Sequence, residues 1–348
     1  MKNRLKGLLI YLLIGLVLIT VYLLTPDIND FTNQDRSYHQ QAVVLGEQVA
    51  AETWHDFRIS QIPIAYRKGE REYLVTDGEI EEREPALPVM AATAYPVNGR
   101  LQAFVPGRRE MDRIGSLVEG VGKGSVENNI IQQFSFEQGQ QLSDSFYLAT
   151  IIHESFHVYQ MERWDFEQLF THFYKGSLKG EVEDKYQDQL MGLTANQQIY
   201  NLYQKEANLL YKAYRTDNQD EMVNYLEHFF ITRVTRREMM KSILAEGYQL
   251  AVTYEQVYEL IEGTPSYLMF KSFQMKGDQK LADRYLARLD NLEKDRNRFY
   301  TLGMGICLVL EKWTDDSWYS RLFHPNKQPI SLEQLLRRTI NDQSDFDR

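Results

Sequence analysis

The apolar residues of this chain change their period once, and that change sets the class of fold open to it. Between residues 57 and 106 they fall in short runs separated by turn pairs. FRISQIPIAYRKGEREYLV folds back at Lys68-Gly69, and LPVMAATAYPVNGRLQAFVP folds back at Asn98-Gly99. Asn-Gly readily supplies the two positive-φ positions of a two-residue hairpin, so this block reads as a small sheet. From about Ser143 the spacing turns helical: LSDSFYLATIIHESFHVYQMERW sets Phe146, Ala149, Ile152 and Phe156 on one face. Further helices are expected over 195–215, 219–243, 246–261, 264–275, 279–296 and 299–313. Ser331 and Gln334 form an S-x-x-Q capping box ahead of a last one. Residues 38–54 can form one amphipathic helix upstream of the sheet. The expectation is an α+β chain, predominantly helical, with a small N-terminal sheet followed by a helical lobe.

The N-terminus suggests a separate element. Gly7 to Leu24 reads GLLIYLLIGLVLITVYLL, without a charge, close to the ~20 residues needed to cross a bilayer core. Lys2, Arg4 and Lys6 precede it, and Asp27 and Asp30 follow. No small-residue cleavage site follows the run. The expectation is an uncleaved single-pass anchor in the cell membrane, N-terminus cytoplasmic, main domain extracytoplasmic. The single cysteine, Cys307, excludes an internal disulfide and a cysteine-built zinc site; this is compatible with a bacterial cell-surface protein that does not use disulfides. A net charge of −10 argues against nucleic acid as a partner. The expected division is 1–26 cytoplasmic tip and anchor, 27–56 stalk and linking helix, 57–140 β-rich subdomain, and 141–348 helical lobe.

Within the helical lobe, HESFH carries the chemistry. His153 and His157 stand at i and i+4, one turn apart on one side of a helix, so both imidazoles can face one ion. Glu154 follows His153 directly and can reach a water on that ion. Zinc would lower the pKa of such a water towards ~7, and the glutamate would take its proton and pass it to a leaving amine. This composition yields HExxH by chance in roughly one chain of a hundred, so a third ligand is needed to strengthen the case. One class of zinc protease places Gly and His three and six residues past the second histidine; Gln160 and Arg163 stand there and exclude it.

A glutamate from a later helix is the other common third ligand. The dipeptide Glu-Gly, whose small residue lets chains pack closely, occurs at Glu246-Gly247 and Glu262-Gly263. At the second, Glu255, Glu259 and Glu262 fall on one face of a helix whose neighbours Val257, Leu260 and Ile261 are apolar. Acids on such a helix are costly to bury unless paired or bound to a cation. Glu262, Glu259 and Glu246 all remain candidates, as does a solvated acidic stripe.

HESFH followed by a Glu-Gly-x-x-x-Tyr segment resembles the gluzincin metallopeptidases. The resemblance implies His153, His157 and Glu262 as zinc ligands, Glu154 as general base, and Tyr267 as the tyrosine of the family's EGxAxY-like segment. Thr264-Pro265 departs from that segment, and the proline is expected to break the Glu262 helix. The gap of 262 − 157 = 105 residues is long for the group; a helical hairpin at about 195–243 would account for it. The resemblance covers residues 140–310 loosely and is specific only at the two motifs. It also implies a zincin-like sheet whose edge strand borders the cleft, for which NGRLQAFVP is the candidate.

Tyr300, ahead of Gly303 and Gly305, is a further catalytic candidate, able to donate to an oxyanion or simply to pack. Arg233, Arg236 and Arg237 form a basic run, solvated or ion-paired, or able to hold a substrate carboxylate. The reading is a membrane-anchored zinc peptidase acting on a peptide or protein substrate. Its alternatives are a zinc hydrolase of a non-peptide envelope substrate, or a non-catalytic helical interaction module with a relic HExxH.

Overall fold

The computed structural model describes residues 30–88, 92–113, 142–174, 190, 192–314, 318–324 and 327–344. Helix α1 (Asn33–Glu52) opens with a capping box in which Thr32 and Asp35 each bond the other's backbone. The sheet follows: β1 (Ile64–Lys68), β2 (Arg71–Thr76), β3 (Glu79–Arg83), β4 (Thr93–Val97) and β5 (Arg100–Pro106). Its order is β3-β2-β1-β5-β4, with β1 and β5 parallel and the other pairs antiparallel.

Both expected hairpins form. Gly69 turns β1 into β2 at φ 58°, and Asn98 and Gly99 take φ 50° and 77° between β4 and β5. A third hairpin joins β2 to β3 through Asp77 (φ 52°) and Gly78 (φ 83°). The EIEER strand that follows was not expected, because its glutamates hide any alternation; it lies at the sheet edge, mostly exposed. The NGRLQAFVP strand, β5, is not an edge strand. It lies between β1 and β4, and its Ala103 and Val105 enter the main core.

The helices are α2 (Asp144–Met161), α3 (Phe166–Phe173), α4 (Gln197–Arg215), α5 (Gln219–Leu244), α6 (Tyr248–Met275), α7 (Gln279–Ala287), α8 (Asn297–Trp313) and α9 (Leu332–Ser344). The α9 capping box forms as read, Gln334 N donating to Ser331 Oγ at 3.2 Å and Ser331 N to Gln334 Oε1 at 3.4 Å. Helices α4 and α5 pack together as the hairpin inserted between the two motifs. Two helix expectations need correction. Helix α7 stops at Ala287 rather than 296, where the turn-forming Asp290-Asn291 follows. Helix α6 runs unbroken through Pro265, for a reason given below.

One apolar core joins sheet and helices. Trp54 and Phe57, just past α1, pack on Phe156 of α2 at 4.8 and 5.2 Å between centroids, and the same core takes in Ile64 of β1 and Leu302 of α8. The α+β, mostly helical class stands, but the fold is corrected in one respect. Among the described residues no helix is long and apolar enough to cross a membrane. The expected span at 7–24 lies outside the described residues, as does the boundary at 140–141. The transmembrane helix and the single-pass membrane localisation are accordingly withdrawn.

Candidate metal centre

Helix α2 starts at Ser143, whose hydroxyl accepts from Phe146 N. Its middle is buried on nearly every side, so the motif sits inside the protein: His153 is 6% and Glu154 3% exposed. The two imidazoles meet edge to face with centroids 4.8 Å apart.

Glu262, on α6, joins them. His153 Nε2 lies 3.1 Å from His157 Nε2, and Glu262 Oε2 lies 3.6 and 3.4 Å from these two nitrogens. Ligand atoms bound tetrahedrally at ~2.0–2.1 Å stand about 3.3 Å apart, so the triangle has the size a zinc ion needs. The donor set also asks for a cation. Glu262 Oε2 is buried with no hydrogen-bond partner, and in the neutral His157 ring, whose Nδ1–H is taken by Gln160, the Nε2 facing it is an acceptor. The residues fit the metal.

Two contacts hold α6 at this depth. The first is glycine on glycine: a Cβ on Gly303 of α8 would come 2.7 Å from Gly263 Cα, and one on Gly263 would come 2.7 Å from the Gly303 carbonyl carbon. The small residue after Glu262 therefore allows two helix backbones to touch. The second is Gln160, 1% exposed. Its Oε1 accepts from His157 Nδ1 at 2.8 Å, while its Nε2 donates to Thr264 Oγ1 at 2.8 Å and to Ile261 O at 3.1 Å. Ile261 O is the carbonyl that residue 265 would normally bond in an α-helix, and proline has no N–H to offer. Gln160 replaces the missing donor, which is how the helix continues past Pro265.

The other acids on α6 find different partners. Glu259 receives Arg233 through two bonds, at 2.6 and 3.0 Å. Glu255 takes Arg236 at 2.7 Å and Arg237 at 2.6 Å. Arg233 and Arg236 also bind Glu206, and Arg237 binds Glu333 at 2.7 Å. The basic run is thus a buried ion-pair network that fixes α6 one turn ahead of Glu262. Glu246 is exposed in a 3-10 turn, and neither it nor Glu259 joins the histidines.

Charge at the centre follows from this packing. Burial works against ionisation of Glu262, but the two histidines outweigh it and hold the carboxyl well below its usual range. Burial likewise opposes charge on His157, yet Glu262 beside it raises the imidazole to about 9. Burial keeps His153 low. It lifts Glu154 to about 8, against the pull of His157.

Glu154 lines a narrow cleft whose lining also includes Thr150, His153, Ser266, Arg288 and Tyr300. Tyr300, in the first turn of α8, therefore shares a cleft with the general-base candidate. Tyr267 does not line it. Its ring packs on Trp54 and Trp318, at 6.0 and 5.8 Å, and burial with Glu311 nearby raises its phenol. The structure brings His153, Glu154, His157, Glu262 and Tyr300 together and leaves Tyr267 in the core.

Gln160 and Arg288 were not anticipated. Gln160 had a visible signal, its i+3 position from His157. Arg288 had none, since only the fold carries it to the cleft. No protein-family model, no curated protein and no solved structure matches the chain.

Proposed function

We propose that this protein is a zinc-dependent hydrolase of peptide bonds, of the gluzincin kind. The observation that carries the reading is the meeting of His153 Nε2, His157 Nε2 and Glu262 Oε2 within 4.8 Å of one another, beside a glutamate that lines a cleft. These three residues would hold the metal. Bound there, zinc supplies a Lewis acid that polarises a carbonyl and acidifies a water.

The chain's own groups do the rest. Glu154 takes the proton from the attacking water and delivers it to the departing amine. The Tyr300 phenol, in the same cleft, is placed to donate to the oxygen where negative charge develops. Gln160 Oε1 accepts a hydrogen bond from His157 Nδ1–H, which keeps the proton on Nδ1 and leaves Nε2 free to coordinate.

The test is metal content and activity on the same preparation. One zinc per chain is expected, with cleavage of members of a peptide library. Glu154→Gln should keep the zinc and lose about 10²-fold or more in rate. Protein that takes up no zinc from a buffered supply overturns the reading and favours an interaction module. Stoichiometric zinc with no peptide cleaved overturns the peptidase assignment and leaves a hydrolase of another amide.

A further inference from the structure

The cleft beside Glu154 contains one guanidinium, that of Arg288, and the chemistry described so far does not use it. The side chain is held in place rather than solvated. It is 15% exposed. Its Nε donates to Glu293 Oε1 at 2.8 Å, and its guanidinium carbon lies 5.2 Å from the Tyr285 ring centre. Glu293 is itself fixed, its other oxygen accepting from Thr301 Oγ1 at 3.3 Å.

This arrangement occupies one edge of the fork. No hydrogen bond engages Nη1 or Nη2 among the described residues, so the outer edge, with its two parallel N–H groups, is available. That edge matches a carboxylate bidentately. Phe146, Met269 and Tyr285 form apolar wall in the same cleft, and shielding from water strengthens a charge pair made there. The surroundings otherwise disfavour an anion. Glu154 lines the cleft and the chain carries a net charge of −10, so a substrate carboxylate needs a fixed cation to be accepted.

We infer that Arg288 anchors a substrate carboxylate, and that the cleft selects peptides presenting one beside the scissile bond. The inference rests on the hydrolase reading above and adds the substrate class to it. The carboxylate can be a peptide's C-terminus or an Asp or Glu side chain; one guanidinium suits either.

The test uses the full, zinc-loaded chain and matched peptides: free C-terminus against C-terminal amide, and Glu against Gln at positions flanking the cleaved bond. A preference of about 30-fold or more in kcat/KM is expected for one acid over its amide, the size usual for a buried charge pair. Which pair shows it identifies the source of the carboxylate. In Arg288→Gln that ratio should fall to near one, and Arg288→Lys should fall between. Equal cleavage of all four peptides by the native protein, or a preference that survives Arg288→Gln, overturns the inference. If no peptide is cleaved, the peptidase assignment fails and a second measurement decides the arginine's role. Calorimetry would then compare N-acetyl-phenylalanine with its amide on the native protein and on Arg288→Gln. Tighter binding of the acid that disappears in the variant supports the anchor, and equal binding of acid and amide overturns it.

Discussion

The side-chain oxygen of Gln160 lies 2.8 Å from Nδ1 of His157, and the same amide's nitrogen reaches across to α6. One side chain thus sets the tautomer of a candidate ligand and joins the helix bearing both histidines to the helix bearing Glu262. Partners of this kind are worth about 10–100-fold in metal affinity. Gln160→Ala should weaken zinc binding by that order, read by competition with a chelator of known affinity. Gln160→Glu keeps an acceptor for His157 but gives up the donors to Ile261 O and Thr264, so it should recover part of the affinity and little of the lost stability. Unchanged affinity in Gln160→Ala would show that His157 is oriented without it.

The third ligand can be separated from its neighbours on α6. Glu262→Ala removes one corner of the ligand triangle and should lower zinc affinity by several powers of ten, an order expected for losing a direct ligand rather than an outer partner. Glu246→Ala should change nothing measurable. Glu259→Gln should cost stability through Arg233 yet leave zinc bound in the folded protein. Equilibrium dialysis against zinc, paired with a urea titration of each variant, reads both effects. Retained tight binding in Glu262→Ala would rule the assignment out.

The contact between Gly263 and Gly303 decides how near Glu262 comes to the histidines. In an ordinary helix, Gly→Ala gains up to ~1 kcal/mol from propensity. Here the added methyl meets backbone, which cannot rotate aside as a side chain would. Overpacking costs about 1–3 kcal/mol, so Gly303→Ala should be net destabilising and should also weaken zinc binding as α6 is pushed outward. An unchanged urea midpoint would mean that the helices separate freely.

Local rules made part of this legible and left the rest out of reach. Asn98-Gly99 and Lys68-Gly69 announce their hairpins because a positive-φ turn is decided within four residues. His153 and His157 announce a shared face because helical period alone brings i and i+4 together. Pro265 misleads for the same reason: read locally it removes a donor, and the donor that replaces it comes from Gln160, 105 residues upstream. The acid ladder of α6 was ambiguous because burial penalises Glu255, Glu259 and Glu262 alike. The choice among them belongs to α5, whose arginines take the first two, and to α2, whose histidines take the third. Asp77-Gly78 was a readable turn whose strand, EIEER, shows no apolar alternation because it lies at an edge.

That network also makes stability depend on pH in a defined window. Glu206, Glu255, Glu259 and Glu333 meet the buried guanidiniums of Arg233 and Arg236 and the partly buried one of Arg237. Burial opposes ionisation of Glu333, but Arg237 and Arg233 outweigh it and draw its carboxyl from 4.5 down to about 2. A depressed acid stabilises the fold above its unfolded value, and that contribution is lost as pH falls from about 4.5 towards 2. The drop, 4.5 − 2 = 2.5 at ~1.36 kcal/mol per pH unit, is on the order of 3 kcal/mol. Glu259 moves the other way. Burial raises it to about 7, despite Arg233, and the Glu255 carboxylate one turn away adds to the rise. A raised acid contributes fully below about 4.5, and the contribution is lost as pH climbs from there through 7. Urea midpoints between about pH 3 and 9 should therefore peak near 4.5, fall between about 4.5 and 7, and level off above 7. Glu333→Gln should make the acid limb shallower, Glu255 keeping part of it, and Glu259→Gln should remove the fall between about 4.5 and 7. A native profile that stays level across the whole range would show that these buried charges do not titrate with folding.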